Sequence, residues 1–152
     1  MPTRFKLLAT GIIISLLVIG CSEDAERKIE GDIVGKWQVN AIHNSSPSGP
    51  TLGPTSGEVI SITFDDNGKF TGATSVNSFK GSYSATETIL LIREITTTEV
   101  ADTNFGQAFY ESISESRNTT TGFSEFAIDF KDENNLNLEY LGFKFLTLQK
   151  EQ

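Results

Sequence analysis

The chain has 152 residues, with 12 Lys and Arg, 20 Asp and Glu, one His, one Cys and a formal net charge of −8. A single Cys excludes an internal disulfide and a thiolate zinc cluster, and a single His excludes a metal centre built on several imidazoles. The acidic balance argues against nucleic acid as a partner, because binding to a phosphate backbone needs clustered Lys and Arg. The length suits one domain.

The first twenty residues have the composition of an export signal. Arg4 and Lys6 form a basic start, and an apolar run from about Leu7 to Ile19 follows. That run is shorter than the roughly 18 apolar residues that a membrane-spanning helix needs. We therefore interpret residues 1–20 as a signal peptide and leave them out of the fold.

The end of this segment, Val18-Ile19-Gly20-Cys21, resembles a bacterial lipobox, in which the Cys is diacylated at sulfur and becomes the first residue of the mature chain. We predict lipidation at Cys21 and attachment to the membrane through that lipid. The alternatives are an ordinary signal peptide with an incidental Cys, or an uncleaved N-terminal anchor. Ser22, in place of Asp after the Cys, agrees with sorting to the outer membrane in Gram-negative bacteria.

Residues 21–32 comprise the lipidated Cys and a polar segment, which we interpret as a flexible tether with an average reach of roughly 18 Å. The chain after the signal peptide has a formal charge of about −10, which keeps its body away from anionic lipid. The expected location is the cell envelope, with the protein lipid-anchored in the outer membrane and facing either the periplasm or the surface.

Most of the remaining sequence consists of short segments in which apolar and polar residues alternate, a pattern typical of strands covered on one side. In 33–43 the alternation puts Trp37, Val39 and Ala41 on one face. The Asp-Asp-Asn-Gly sequence at 65–68 predicts a tight turn, since Asn and Gly tolerate positive φ. The predicted strands are 33–43, 58–64, 69–74, 78–85, 89–92, 126–130, 136–140 and 143–149.

One segment has helical rather than strand periodicity. In residues 103–115, Phe105, Ala108, Phe109 and Ile113 recur at helical spacing, and Asp102 is the predicted N-cap. The apolar stripe is expected to pack on the sheet as a lid. Residues 33–152 thus predict one domain, mainly β with one α-helix and antiparallel strands.

Two places depart from regular strands. Residues 44–57 hold three of the four prolines, so we expect this stretch to stay out of the sheet, as a flap over the domain or as an insertion without a role. In the last strand, Phe143 and Phe145 are out of phase with Leu146 and Leu148, which indicates a bulge or a strand covered on both sides.

The stretch from Gly72 to Tyr83 resembles the signature of the META domain (HslJ-like) family. The pattern of that family is a Gly, a Cys-Asn pair, an aromatic residue and Gly-x-Tyr. The opening Gly35-Lys36-Trp37 and the segment 98–102, Thr-Glu-Val-Ala-Asp, resemble further parts of the pattern. The residues that match in the central stretch are Gly72, Asn77, Phe79, Gly81 and Tyr83.

This resemblance implies a small barrel-like domain with one helix, an envelope location and an association with stress tolerance. It does not supply a biochemical activity, because the family has no settled one. Val76 and Asp102 stand where the family has Cys, so any pairing or redox role of those cysteines is absent. We predict that the five matching residues hold the fold. The glycines allow close strand approach, and Asn77 bonds the backbone of a turn or bulge.

A second family also matches the opening. Gly35-x-Trp37 occurs in lipocalin-like barrels, where the Trp plugs one end and the open end takes an apolar ligand. Eleven Phe residues could line such a cavity or simply fill a core. A carrier of a small apolar ligand is therefore the alternative function, and it requires an internal pocket of roughly 300 Å³ or more.

The search for catalytic and metal-binding patterns gives no candidate. His43 is the only imidazole, and no Gly-x-Ser-x-Gly elbow accompanies it. The acidic residues at 65–66 lack the spacing of a calcium loop, and those at 129–133 are typical of a strand end and a turn. We predict no catalytic residue, no metal and no cofactor. The expected function is a non-enzymatic envelope protein with an unidentified binding partner.

Overall fold

The computed structural model describes residues 32–43 and 51–152. This part of the chain forms nine strands and one helix. In chain order they are β1 (Gly35–His43), β2 (Thr51–Leu52), β3 (Ser61–Phe64), β4 (Lys69–Ala73), β5 (Ser78–Ala85), β6 (Ile89–Thr97), α1 (Asn104–Glu115), β7 (Ser124–Phe130), β8 (Asn135–Tyr140) and β9 (Lys144–Lys150).

Eight of these strands close into an antiparallel barrel. Neighbouring strands follow the order β1-β3-β4-β5-β6-β7-β8-β9, and β9 pairs back with β1 from Trp37↔Lys150 to His43↔Phe145. The predicted fold class, mainly β with one helix in a barrel-like domain, is confirmed. Both edges of β1 are therefore paired, one with β3 and the other with the last strand, β9.

The barrel interior is a continuous apolar core. Every strand of the barrel contributes inward-facing side chains, and several aromatic rings contact one another there, including Phe64 with Tyr83 at 4.9 Å and Phe126 with Tyr140 at 5.6 Å between ring centroids. The fully buried side chains of largest volume are Trp37, Phe64, Phe105, Phe109 and Phe126.

The phase of β1 changes along its length. A bulge between Val39 and Ala41 shifts its register with β9, so that Ile42, and not Ala41, is buried. The prediction that Ala41 shares the buried face of Trp37 is wrong for this reason. After the bulge His43 lies on the outer side, where its ring stacks on Phe145 at 4.0 Å.

The last strand needs no bulge of its own. The β8–β9 pairing runs without a register shift from Asn135↔Gln149 to Tyr140↔Lys144. Leu146 and Leu148 face the core, while Phe145 faces outward against His43. Phe143 lies in the turn before β9 and is 64% exposed. The bulge that the sequence indicated in this strand is therefore in its partner β1.

The two ends of the barrel differ. At the end where β1 begins, the indole of Trp37 is fully buried and its Nε1 donates to the carbonyl of Ile33 at 2.7 Å. The ammonium of Lys150 lies 5.3 Å from the indole ring. We call this the tryptophan end. The opposite end, which carries α1 and the β4–β5 and β8–β9 turns, is the helix end.

Helix α1 covers the core at the helix end. Its buried face comprises Phe105, Gly106, Ala108, Phe109, Ser112 and Ile113, as expected for a lid. The Thr103 side chain caps its N-terminus by accepting from the Gly106 amide at 3.1 Å. The predicted N-cap, Asp102, is thus wrong by one residue, because the Asp102 carboxylate binds Thr74, Asn77 and the Thr103 amide instead of the amides of the first helical turn.

The proline-rich segment takes part in the sheet at one point. Thr51 and Leu52 pair with His43 and Ile42 of β1, contrary to the expectation that all of 44–57 stays unpaired. Residues 44–50 lie outside the described residues, and so do 1–31, where the signal peptide, the lipidation site Cys21 and most of the tether are predicted. Within the described ranges, no helix combines the length and apolar character that crossing a membrane requires.

Candidate functional site

The β4–β5 turn is joined to the segment before α1 by a buried asparagine. Asn77 is 3% exposed, and its amide uses all of its bonding capacity. Its Nδ2 donates to the Val100 carbonyl and to Asp102 Oδ2, both at 2.8 Å. Its Oδ1 accepts from Thr98 Oγ1 at 2.8 Å and from the Val100 amide at 3.0 Å. We call these contacts the asparagine clasp.

Thr74 completes the clasp from the other side of the turn. Its hydroxyl donates to Asp102 Oδ2 at 2.6 Å and accepts from the Asn77 amide at 2.8 Å. The backbone adds a bond from the Thr74 amide to the Asn77 carbonyl at 2.8 Å. Sequence reasoning missed Thr74, although its position between Gly72 and Asn77 in a predicted turn could have drawn attention to its hydroxyl.

Asp102 is the charged member of the clasp. Burial would raise the pKa of its carboxyl, but hydrogen bonds from Asn77, Thr74 and the Thr103 amide outweigh that effect and lower the pKa from its ordinary value. The Asp102 carboxylate also explains why the first turn of α1 contains a glycine, because a Cβ at Gly106 would lie 2.2 Å from Asp102 Oδ1. Asp102 therefore stays ionised and fixes the start of α1 to the β4–β5 turn.

Val76 and Asp102, the two positions at which the META pattern has Cys, both lie at the asparagine clasp. Val76 is next to Asn77 in the turn and is 43% exposed. Asp102 binds Asn77 and Thr74 directly. Hydrogen bonds, rather than sulfur, join these two segments in this chain.

The remaining motif residues lie on β4 and β5. A Cβ at Gly72 would come within 2.3 Å of the Phe79 ring and of the Ser61 carbonyl, and one at Gly81 would come within 1.9 Å of the Glu94 carbonyl. Phe79 is buried, with its ring 5.2 Å from that of Phe109. Close approach of β4 and β5 to each other and to their neighbouring strands therefore requires glycine at both positions.

Tyr83, the last of the five motif residues, lies at the tryptophan end. Its ring is buried and its hydroxyl donates to the Asp65 carbonyl in the β3–β4 turn. Burial raises the pKa of this hydroxyl, so it remains a proton donor at neutral pH. The five motif residues therefore make contacts within the fold and present no reactive group to solvent.

We expect Asn77→Asp to destabilise the domain more than Asn77→Ala. The aspartate would place a second carboxylate against Asp102 and the Val100 carbonyl, whereas alanine only leaves partners unbonded, at about 1–3 kcal/mol for a buried group. Chemical denaturation of both variants measures the difference. Asn67→Asp, in the exposed β3–β4 turn, is the control for the change in charge. Equal stability of the Asp and Ala variants would contradict an ionised Asp102.

The barrel interior leaves almost no free space. Among the described residues, the cavity enclosed by the core side chains has a volume of about 20 Å³ and an apolar lining that includes Phe64, Phe70 and Phe109. Such a space is about the size of one water molecule, and an apolar site of this kind stays dry. The Phe residues fill the core, and this enclosed space among the described residues is much smaller than the pocket of roughly 300 Å³ that a carrier requires.

An open depression lies at the helix end, between α1 and the second half of β6. One part has a volume of about 520 Å³ and lies beside the asparagine clasp, with Glu99 and Glu111 in its lining. The adjoining part, of about 250 Å³, has Arg93 and Arg117 in its lining. Both parts include Thr97, Tyr110 and Ser114, so they form one continuous channel, the α1–β6 groove.

The other polar residues considered from sequence are dispersed. His43 bonds Thr51 Oγ1 through Nδ1 at 2.9 Å, and burial lowers the pKa of its ring. Asp65 Oδ1 accepts from the Asn67 and Lys69 amides, as a turn residue does. Asp132 Oδ1 likewise accepts from the Asn134 amide in the β7–β8 turn. No group of three or more metal-ligating side chains occurs within residues 32–43 and 51–152.

Several solved structures resemble this chain. A protein from Burkholderia xenovorans, determined by NMR, has 18% identity and a TM-score of 0.57, with 78% of this chain and 82% of that chain covered. A DUF4847 family protein from Bacteroides vulgatus has 17% identity and a TM-score of 0.52, with 78% and 94% covered. A lipocalin-like protein from Bacteroides uniformis has 20% identity and a TM-score of 0.48, with 78% and 97% covered. The first two support the fold alone.

No curated protein matches the sequence. The family model of the META domain, in contrast, matches residues 32–140. That range includes β1, the motif on β4 and β5, the asparagine clasp, α1 and β7–β8. The chain therefore belongs to the META domain family.

Proposed function

We propose that this META-domain protein is a lipid-anchored protein of the outer membrane, held through Cys21, that binds an envelope protein and catalyses no reaction. On the basis of the family resemblance, the proposal includes a role in stress tolerance. The observation that carries the docking function is the contrast between the two barrel ends. The chain enters at one end, and exposed apolar side chains gather at the other.

The entry point is the tryptophan end. Asp32 precedes the strand that holds Trp37, and its carbonyl accepts from Lys150 Nζ at 3.5 Å. A tether that leads from Cys21 to Asp32 would bring the tryptophan end towards the membrane. The helix end would then point away from the membrane, where a partner could reach it.

Exposed valines mark the helix end. Val59, Val76 and Val100 are 45%, 43% and 60% exposed. They are held around the β4–β5 turn, because the Val59 amide donates to Ser75 Oγ at 3.0 Å and the Val100 amide donates to Asn77. Exposed apolar groups in a fixed arrangement are typical of an interaction surface. We call these three residues the valine rim.

Charge favours a basic partner for this rim. Glu58 and Glu99 flank it, and hydrogen bonds from Thr55 lower the pKa of the Glu58 carboxyl, so it is ionised at neutral pH. The partner that fits has apolar side chains accompanied by Lys or Arg. The filled barrel interior gives no support to a carrier function.

Membrane fractionation and photocrosslinking together test this proposal. Cys21→Ser is expected to release the protein from membranes, while the wild-type chain stays bound. A photoreactive amino acid at Val100 is expected to crosslink one discrete partner in cells, whereas the same group at Ile89 is not. Ile89 is the control because it is also an exposed apolar residue, 38% exposed, but lies at the tryptophan end.

Persistent membrane binding of the Cys21 variant would overturn the lipid anchor. Equal crosslinking from Val100 and Ile89, or none from Val100, would overturn docking through the helix end. The two parts of the proposal thus fail separately.

A further inference from the structure

We propose that the α1–β6 groove binds an extended peptide segment of the partner, which adds as an antiparallel strand to the open half of β6. This inference rests on the docking function proposed above and assigns it a site and a mode of binding. The feature that carries it is a gap in the barrel wall between β6 and β7.

The gap follows from the strand pairing. β6 pairs with β5 along its whole length, up to Phe79↔Thr97. Its pairing with β7 covers only Ile89↔Ala127 to Ile92↔Ser124. The chain leaves β6 for α1 and returns to the sheet only at Ser124. Residues 93–97 therefore have a strand on one side and the groove on the other.

The register shows which backbone groups face the groove. The Thr98 amide donates to the Ser78 carbonyl at 3.1 Å, so the backbone N–H of Thr98 points to β5. Residues of an antiparallel ladder alternate in the direction of their N–H and C=O groups. The backbone N–H and C=O groups of Thr96 therefore also point to β5, while those of Ile95 and Thr97 point to the open edge of β6. An incoming strand finds two donors and two acceptors there.

The floor of the groove suits a strand. The side chains of Ile95 and Tyr110 are half-buried against the core, and the Tyr110 hydroxyl lies 3.2 Å from Thr97 Oγ1. Small or β-branched residues of a peptide could pack on this floor, as alternate side chains do on a sheet face. Strand addition of this kind takes its affinity from main-chain bonds and its specificity from alternate side chains.

The charges at the ends of the groove give the peptide a direction. A strand antiparallel to β6 begins beside Thr97, near Glu99 and Glu111, and ends beside Arg93 and Arg117. The arginine end also includes Glu94, which is exposed in its lining. The segment that fits best carries a basic residue at its start and an acidic residue, or a free carboxylate, at its end.

Synthetic peptides test this inference directly. The probe is the capped hexapeptide Arg-Thr-Val-Thr-Val-Asp, titrated into the ¹⁵N-labelled domain and followed by NMR. Amide shifts are expected at Ile95, Thr97 and Tyr110. A probe with alternate N-methylated amides should bind about 10-fold more weakly or worse, because it loses main-chain bonds. The charge-reversed probe, Asp-Thr-Val-Thr-Val-Arg, should bind about 3-fold more weakly.

Matched protein variants address the same edge. Thr97→Pro removes an N–H that faces the groove and not β5, so the strand can tolerate it, and probe binding should fall about 10-fold. Thr96→Ala, a change on the outer surface, should leave binding unchanged. The surface double variant Glu99→Lys with Glu111→Lys should weaken the probe and improve its charge-reversed form, even if the proline variant does not fold.

Strand addition is overturned if the probe shifts no amide of 93–97, or if the N-methylated probe binds as well as the original. If crosslinking from Val100 persists in that case, docking at the helix end stands without strand addition. If crosslinking fails while the probe binds, the groove is a peptide site and the proposed cellular role is wrong.

Discussion

Replacing Gly81 by alanine is expected to lower the free energy of unfolding by about 3 kcal/mol, at the upper end of the usual cost of overpacking. The added Cβ would lie 1.9 Å from the Glu94 carbonyl and 2.6 Å from the Phe70 ring. The ring could turn, but the carbonyl belongs to the backbone of the neighbouring strand, beside the register shift of the β5–β6 pair. The strands must separate to admit one methyl group.

Chemical denaturation of purified Gly81→Ala against the wild-type domain gives this number. Gly53→Ala is the matched control, because its Cβ would lie 3.7 Å from the Asn40 carbonyl, an ordinary contact. The control is expected to be neutral or to stabilise by up to about 1 kcal/mol through the unfolded chain. Equal stability of the two variants would show that the close approach of β5 and β6 is not required for folding.

Replacing Trp37 by alanine is expected to cost about 3–5 kcal/mol, the usual range for loss of a buried large aromatic side chain. The indole is fully buried at the tryptophan end, its Nε1 is bonded to the Ile33 carbonyl, and Lys150 lies over its ring. Alanine leaves a cavity at the closed end of the barrel and an unbonded carbonyl.

The thermal midpoint should fall by ~10 °C or more as a result. Phe143→Ala removes an aromatic side chain that is 64% exposed, and its effect should stay within about 0.5 kcal/mol. A thermal midpoint of Trp37→Ala close to that of Phe143→Ala would mean that the indole does not support the barrel. Intrinsic fluorescence cannot follow this variant, since the chain has one Trp, so circular dichroism is the appropriate measurement.

Much of the fold could be predicted because its strands alternate with a simple period. The strand 78–85 has the bounds that its residues predict, and the turn at 65–68 forms where Asn and Gly favour it. The buried face of α1 is also the one that helical spacing indicates. In these segments local preference and burial favour the same structure, which makes local reasoning sufficient.

The errors occur where a distant partner decides the geometry. The bulge in β1 depends on pairing with β9, so alternation within 33–43 could not show that Ile42 replaces Ala41 in the core. Asp102 is a good helix cap in isolation, but Thr74 and Asn77 lie close enough to bind its side chain. The α1–β6 groove was not predicted at all, because it arises from the unequal lengths of the β5–β6 and β6–β7 pairings.

The pairing of β1 with β9 also has a consequence for the order of events after synthesis. Asn40 and Gln149, which bond across this seam, are 109 positions apart in the chain. The first strand of the barrel to be synthesised therefore waits for the last before the barrel can close. Such long-range contacts make folding slow, so a newly made chain with this topology would spend its assembly period with an unclosed sheet, exposed to chaperones and proteases.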